Sequence, residues 1–213
     1  MAQEPLVCCI LPFHRNEFVN QAVECFNRQT YANKHLIALD TSKMPAVIGR
    51  LRNHLISLTP SKDCIIAHFD HDDWSAPTRL AEQVAFMQAT GSPVVGYRDM
   101  PFYDVTLNRV TFFDGHRPMY WALGTSLMYR REFWEKRPFK DMNDEDEEWL
   151  KRPDIKPVVR SQSSLDNGKP RMIATIHPGN TSPKKGARFE KASAELDREV
   201  RRCLSASLVA QSH

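Results

Sequence analysis

The 213-residue chain has no apolar run near the ~20 residues that a membrane-spanning helix needs, and its opening Met1-Ala2-Gln3-Glu4-Pro5 lacks the basic-then-apolar layout of a secretory leader. A cytoplasmic location is expected on both counts. Cysteines number 5, with no CxxC pair; Cys8, Cys9 and Cys64 stand in strand-like apolar runs and Cys25 and Cys203 in helical patterns. They read as reduced, core-filling side chains. There is no internal repeat, no low-complexity segment and no Gly-rich phosphate loop near Pro12. What remains is ordinary for a globular protein, 41% hydrophobic and 26% charged, at a length that builds one well-buried α/β domain with a tail.

What is present is an alternation of strand-like and helix-like runs. Leu6-Val7-Cys8-Cys9-Ile10-Leu11 is a continuous apolar stretch of the kind shown by a parallel strand covered on both faces, and Pro12 ends it. From Asn16 to Arg28, Phe18, Val19, Ala22, Val23 and Phe26 make a helical stripe. A second strand (His35 to Asp40) precedes a helix carrying Leu51, Leu55 and Ile56, and a third (Cys64 to Phe69) runs straight into Asp70-His71-Asp72-Asp73. Successive βαβ units wind right-handed into a parallel sheet, whose ligands gather at the strand C-termini. Pro12 to Arg15, Asp40 and Asp70 to Asp73 all belong to that edge. The pattern then predicts a helix from Thr78 to Thr90 stopped by Gly91, a strand from Val94 to Arg98 and a hairpin over 100–114. Further strands are expected around Ser126 to Tyr129 and Arg171 to Ile176, with an acidic helix from Asp144 to Lys151 between them. A final helix is expected from Ala187 to Leu208, its Leu196, Val200 and Leu204 stripe packed back on the domain.

Charge is distributed unevenly. Residues 1–150 hold 16 Lys/Arg against 20 Asp/Glu, whereas residues 151–213 hold 13 against 6. The basic tail suits either an anionic partner, such as nucleic acid, a membrane surface or an acidic glycan, or simply a solvated helix face.

Three carboxylates within four residues at a strand end are electrostatically costly without a cation, so Asp70 to Asp73 is a candidate metal site; its bland alternative is the acidic start of a helix. A second acidic run, Asp144 to Glu148, turns apolar at once at Trp149-Leu150, so one of its acids is a candidate general base. His177-Pro178-Gly179-Asn180-Thr181-Ser182 follows an apolar strand and offers an imidazole to a metal or phosphate.

Together and in this order, the pieces resemble the family 2 glycosyltransferases of the GT-A fold, over about residues 6–182. Val7 to Pro12 followed by a helix and Asn27-Arg28-Gln29-Thr30-Tyr31 looks like the family's opening. Arg52-Asn53 resembles its ARN helix and Phe69 to Trp74 its LDxDDxW element. Gly124 to Glu132 resembles the acceptor-side G…RRE, Glu145-Asp146 with Trp149-Leu150 the ED motif, and His177 to Ser182 the closing HxxNxS. The resemblance implies a single domain with a mostly parallel central sheet flanked by helices. Residues 1–98 would form a nucleotide-binding half and 99–182 an acceptor-binding half, with 183–213 a basic loop and an amphipathic helix packed on the domain.

It also implies roles. Pro12, Phe13, Arg15, Asp40, Arg52, Asp70 and His71 would bind a nucleotide-sugar, most naturally a UDP-sugar. Asp72 and His177 would hold Mn²⁺ or Mg²⁺, the imidazole favouring manganese. Asp146 would be the base of an inverting transfer, with Gly124, Thr125, Glu145 and Trp149 on the acceptor side and Asp73 supporting the loop. Two features depart from the family pattern, the order Arg15-Asn16 and the single Asp40 followed by Thr41; both fall at the nucleobase pocket. The lack of a polymerase extension argues against a processive polysaccharide synthase. The acceptor hydroxyl stays open, a polysaccharide or a hydroxylated DNA base among the choices. Two alternatives stand beside this reading, a nucleotidyltransferase on a similar sheet and a non-catalytic nucleotide-sugar binding module.

Overall fold

The computed structural model describes residues 4–14, 16–44, 47–115, 121–180 and 189–210. The first 100 residues run β1 (Val7–Phe13), α1 (Asn16–Asn27), β2 (Lys34–Asp40), α2 (Ile48–Ser57), β3 (Ile65–His68), β4 (Trp74–Ser75), α3 (Arg79–Thr90) and β5 (Val94–Tyr97). Then come the hairpin β6 (Met100–Asp104) and β7 (Arg109–Phe113), β8 (Met128–Arg130), α4 (Arg131–Glu135), α5 (Glu145–Lys151) and β9 (Val159–Gln162). The chain closes with β10 (Leu165–Asp166), β11 (Lys169–Pro170), β12 (Met172–Ile176), β13 (Phe189–Lys191) and α6 (Ala194–Ala210).

The central sheet has 6 strands in the order β2-β1-β3-β8-β5-β9. Its pairings are parallel except on the two sides of β8, which runs against both β3 and β5. The unbroken apolar character of β1 follows from its position: Val7, Cys9 and Leu11 enter one core while Cys8 and Ile10 enter another on the opposite face. The first core is closed by Ala22 and Cys25 of α1, Leu80, Val84 and Met87 of α3, and Leu196 and Val200 of α6. The second is closed by Leu55 and Ile56 of α2, Trp134 of α4 and Trp149 and Leu150 of α5. A second sheet, in the order β13-β7-β6-β12-β4, sits beside the first.

Two stretches differ from the sequence reading. The expected strand at Ser126 is a single 3-10 turn, Gly124–Ser126, with the strand starting at Met128. The expected helix at Ala187 begins only at Ala194, where the Ser193 hydroxyl accepts the Leu196 N–H at 3.1 Å. Before it, Phe189 and Lys191 pair with Phe113 and Thr111 on the edge of β7. An apolar residue at Phe189 fits both periods, and the free edge of the hairpin decides for the strand.

Candidate active site

β1 extends beyond β3: Ile10 lies opposite His68, whereas Phe13 lies opposite Asp40 of β2. The chain leaving β3 therefore turns at the sheet edge. The Asp73 N–H donates to the Asp70 carbonyl at 3.3 Å, and β4 carries the strand off to pair with β12. Within that turn the three carboxylates face three different groups, which is how they coexist.

Asp70 accepts from Arg52 Nη2 at 3.0 Å. Burial is the largest single influence and opposes its charge, but the Arg52 guanidinium, His68 and a hydrogen bond from Thr125 together hold the carboxyl down to about 2. Asp72 Oδ2 lies 3.0 Å from His177 Nε2 and accepts from Asn180 Nδ2 at 3.0 Å. Asp73 turns inward: it accepts from the Thr125 hydroxyl and, at 3.0 Å, from the Thr175 N–H. Burial, then the Asp72 and Asp70 charges, push its carboxyl well above the usual carboxylate range.

Arg79 underlies this acidic turn and is wholly buried. Its guanidinium lies 4.9 Å from the Phe69 ring centroid and donates to the His68 carbonyl at 2.8 Å and the Ser75 hydroxyl at 2.9 Å. It is a fixed positive charge behind the carboxylates. Sequence reasoning missed it because an arginine on an amphipathic helix normally faces water. The available signal was Arg79 and Gln83, four residues apart beside the Leu80, Val84 and Met87 stripe.

The other nitrogen of Arg52, Nη1, pairs with Glu145, the first residue of α5. Arg52 is 5% exposed and Glu145 is 1% exposed, so one buried guanidinium ties the β3 turn to α5. Burial pushes Glu145 up to about 7 against the pull of Arg52. Asp146, next along, is raised in the same sense, chiefly by burial. Its carboxylate lies over Gly124, where a Cβ would collide with it. His68 fixes that glycine: Nδ1 donates to the Gly124 carbonyl at 2.7 Å, and Nε2 accepts from the Tyr129 hydroxyl at 3.0 Å. Burial and Arg52 keep this imidazole neutral, far below its ordinary pKa.

The remaining sequence candidates divide. His71 is 7% exposed, its ring 5.1 Å from His14, and its Nε2 has no hydrogen-bond partner among the described residues. Phe18 stacks on His177 at 4.9 Å, so α1 supplies an aromatic wall. Pro12 and Phe13 end β1, with the Phe13 carbonyl accepting from Thr41. Asp40 is exposed, its carboxylate lowered by the Ser42 N–H at 2.9 Å, and no hydrogen bond joins it to the other candidates. Trp149 is wholly buried, its Nε1 donating to the Arg137 carbonyl at 2.5 Å, so it supports α5 from behind. Arg15, Thr181 and Ser182 lie outside the described residues.

Among the described residues no three His, Cys, Asp or Glu side chains converge on a metal position. Asp72 and His177 are two such donors side by side. One carboxylate and one imidazole are a donor pair of the type that binds divalent ions, and two donors alone would leave further ligands to come from elsewhere.

No protein-family model and no curated protein sequence matches the chain. Solved structures do match. S. aureus TarS 1-349 in complex with UDP superposes with a TM-score of 0.60 at 13% identity, over 81% of this chain and 61% of that one. The UDP-GlcNAc complex of the same protein gives 0.60 at 14%, over 96% and 66%. The glycosyltransferase GlyE of Streptococcus pneumoniae TIGR4 gives 0.51 at 9%, over 97% and 61%. This chain thus spans less than two thirds of each neighbour's length. No described helix is long and apolar enough to cross a membrane. At such identities the likeness establishes the fold, and that fold is of the GT-A type, a mostly parallel central sheet flanked by helices.

Proposed function

We propose that this chain is an inverting, divalent-metal-dependent glycosyltransferase that moves a sugar from a nucleotide-sugar, a UDP-sugar in the first instance, to an acceptor hydroxyl. One observation carries the reading: Arg52 joins Asp70, at the strand edge where this fold binds ligands, to the helix that presents Asp146 over Gly124. The UDP and UDP-GlcNAc complexes of TarS support the donor class.

In this mechanism Asp70, held ionised by Arg52, accepts from a donor ribose hydroxyl, and Phe13 and Asp40 bound the base. Arg52 itself is enclosed, so its task is to fix Asp70 and α5 and to leave direct contact with the nucleotide to others. Asp72 and His177 are the residues that would hold a divalent metal, which would supply positive charge to a leaving diphosphate. Asp146 takes the proton from the acceptor hydroxyl, and its raised pKa makes it a better base than an exposed carboxylate. The acceptor oxygen then attacks the anomeric carbon opposite the leaving group, inverting it.

The test is a nucleotide-sugar panel read by thermal shift and product release, with Mn²⁺ or Mg²⁺ and with chelator. Metal-dependent stabilisation by one donor and release of a nucleoside diphosphate are expected. Asp72→Ala should abolish both, and Asp146→Asn should keep donor binding while lowering turnover about 10²–10⁴-fold. Metal-independent behaviour across the panel would sink the proposal, and release of pyrophosphate would indicate nucleotidyl transfer instead.

A further inference from the structure

Away from the candidate active site lies a cleft of about 820 Å³ between the edge formed by β7 and β13 and the first turns of α6. Its ionisable lining is Arg109, Lys191, Arg198 and Arg201 against the single acid Asp197. Arg201 is committed: it pairs with Asp197 at 2.9 Å and donates to the Asn108 side chain at 2.6 Å and the Asn108 carbonyl at 2.9 Å. That leaves Arg109, Lys191 and Arg198 exposed and outside any salt bridge among the described residues, with Asp104 opposite Arg109 and Glu199 beside Arg198 as their nearest acids. The cleft lining itself holds four cations against one carboxylate, a balance that favours an anion.

Its place in the fold connects it to the active site. Ile176, just before His177, lies opposite Asp104, and Asp104 lies opposite Arg109. Arg109 is therefore two strand spacings away from the end of β12, roughly 10 Å. Lys191 lies opposite Thr111, which makes it a diagonal neighbour of Arg109, roughly 7–8 Å away. The cations form a line that leaves the active-site end of the sheet and passes back along its edge.

The lining also carries apolar side chains, Val110, Ala192 and the half-buried ring of Phe189. Spaced cations beside apolar surface suit a strand that has both phosphates and flat bases, whereas a carboxylated glycan offers charge without such a face. Two of the three free cations are arginines, whose guanidinium planes bind phosphate in a fork and stack on bases.

We propose that this cleft is the acceptor track of the enzyme and binds single-stranded nucleic acid, Arg109, Lys191 and Arg198 each neutralising a phosphate. The assignment rests on the glycosyl-transfer reading above for the word acceptor, and on the cleft alone for the ligand. The test is fluorescence anisotropy of a labelled single-stranded oligonucleotide with the full chain, at salt from about 50 to about 200 mM, with heparin as the competing anionic glycan. Binding should weaken with salt, and replacing Arg109, Lys191 and Arg198 together by alanine should cost at least about tenfold and flatten the log–log slope by about 2, near 0.7 per phosphate contact. The triple variant should retain donor-induced thermal stabilisation, which reads the donor site separately. No binding at low salt, binding unchanged in the triple variant, or a preference for heparin over the oligonucleotide would each overturn the proposal. Oligonucleotide binding without any donor response would keep the cleft's ligand and remove the glycosyl-transfer reading instead.

Discussion

At the scale of single residues, the arrangement turns on a hydrogen atom. Gly124 has no side chain, and the Asp146 carboxylate occupies the space that one would fill. Gly124→Ala must push Asp146 away, since the Asp146 side chain is what its Cβ would meet. Turnover should fall as far as in Asp146→Asn, about 10²–10⁴-fold, with the donor Kd nearly unchanged; an active Gly124→Ala enzyme would remove Asp146 from the role of base. Glu145 gives a pH signature. Its folded pKa of about 7 lies above the ordinary 4.5, so the folded state holds this proton more tightly than the unfolded chain. The stability it contributes is complete below pH 4.5 and is lost as pH rises through about 7. Urea midpoints of the parent should therefore fall relative to Glu145→Gln across that window, and a constant difference would refute the shift. The sequence pointed to Arg52, Gly124 and the Glu145-Asp146 pair singly but not to how they join, because the burial of Glu145 and its partner Arg52 depend on contacts 93 positions apart.

At the scale of elements, legibility followed burial. β1 and β3 are covered on both faces, and such strands announce themselves as apolar runs; α1 and α2 have one buried face and show a helical stripe. β9 was not legible: Val159 and Ser161 face inward while Arg160 and Gln162 stay half-exposed, and four residues with one large apolar side chain carry no pattern. α3 was read as an amphipathic helix, but its polar positions are structural. Arg79 donates from one end of the helix into the turn that carries the carboxylates, and Gln83 donates to the Ser126 carbonyl at 2.8 Å. Arg79→Met keeps the bulk and removes the charge, leaving the buried His68 carbonyl, Ser75 hydroxyl and Gln83 amide oxygen without their donor. A loss of roughly 3–5 kcal/mol is expected in denaturant titration. A loss below about 1 kcal/mol would mean that water replaces the guanidinium.

At the scale of the whole molecule, one sheet separates two cores and α6 closes the first of them. Val200 of that helix is wholly buried among residues from the first half of the chain. Val200→Asp would put an unpaired charge there, at a cost of several kcal/mol. Rapid proteolysis of the variant, with the parent resistant, is the expected readout. The general architecture was legible because alternating β and α runs leave few topologies open. The strand β8 was expected close to where it stands, but its antiparallel direction was not legible, because three residues carry no mark of orientation and their pairing is decided by β3 and β5.

That strand has a consequence in time. β8 bridges β3 and β5, so Ala67 and Val95 both pair with Met128. On a ribosome, everything up to Tyr97 emerges before the residues that join it, and during that interval both β3 and β5 present bare backbone edges. Such a chain waits for its keystone, and the long sequence separation slows its closure. Fragments ending before Met128 should consequently aggregate as they are made, and a synonymous slowing of translation just ahead of Gly124 should lower the yield of soluble protein.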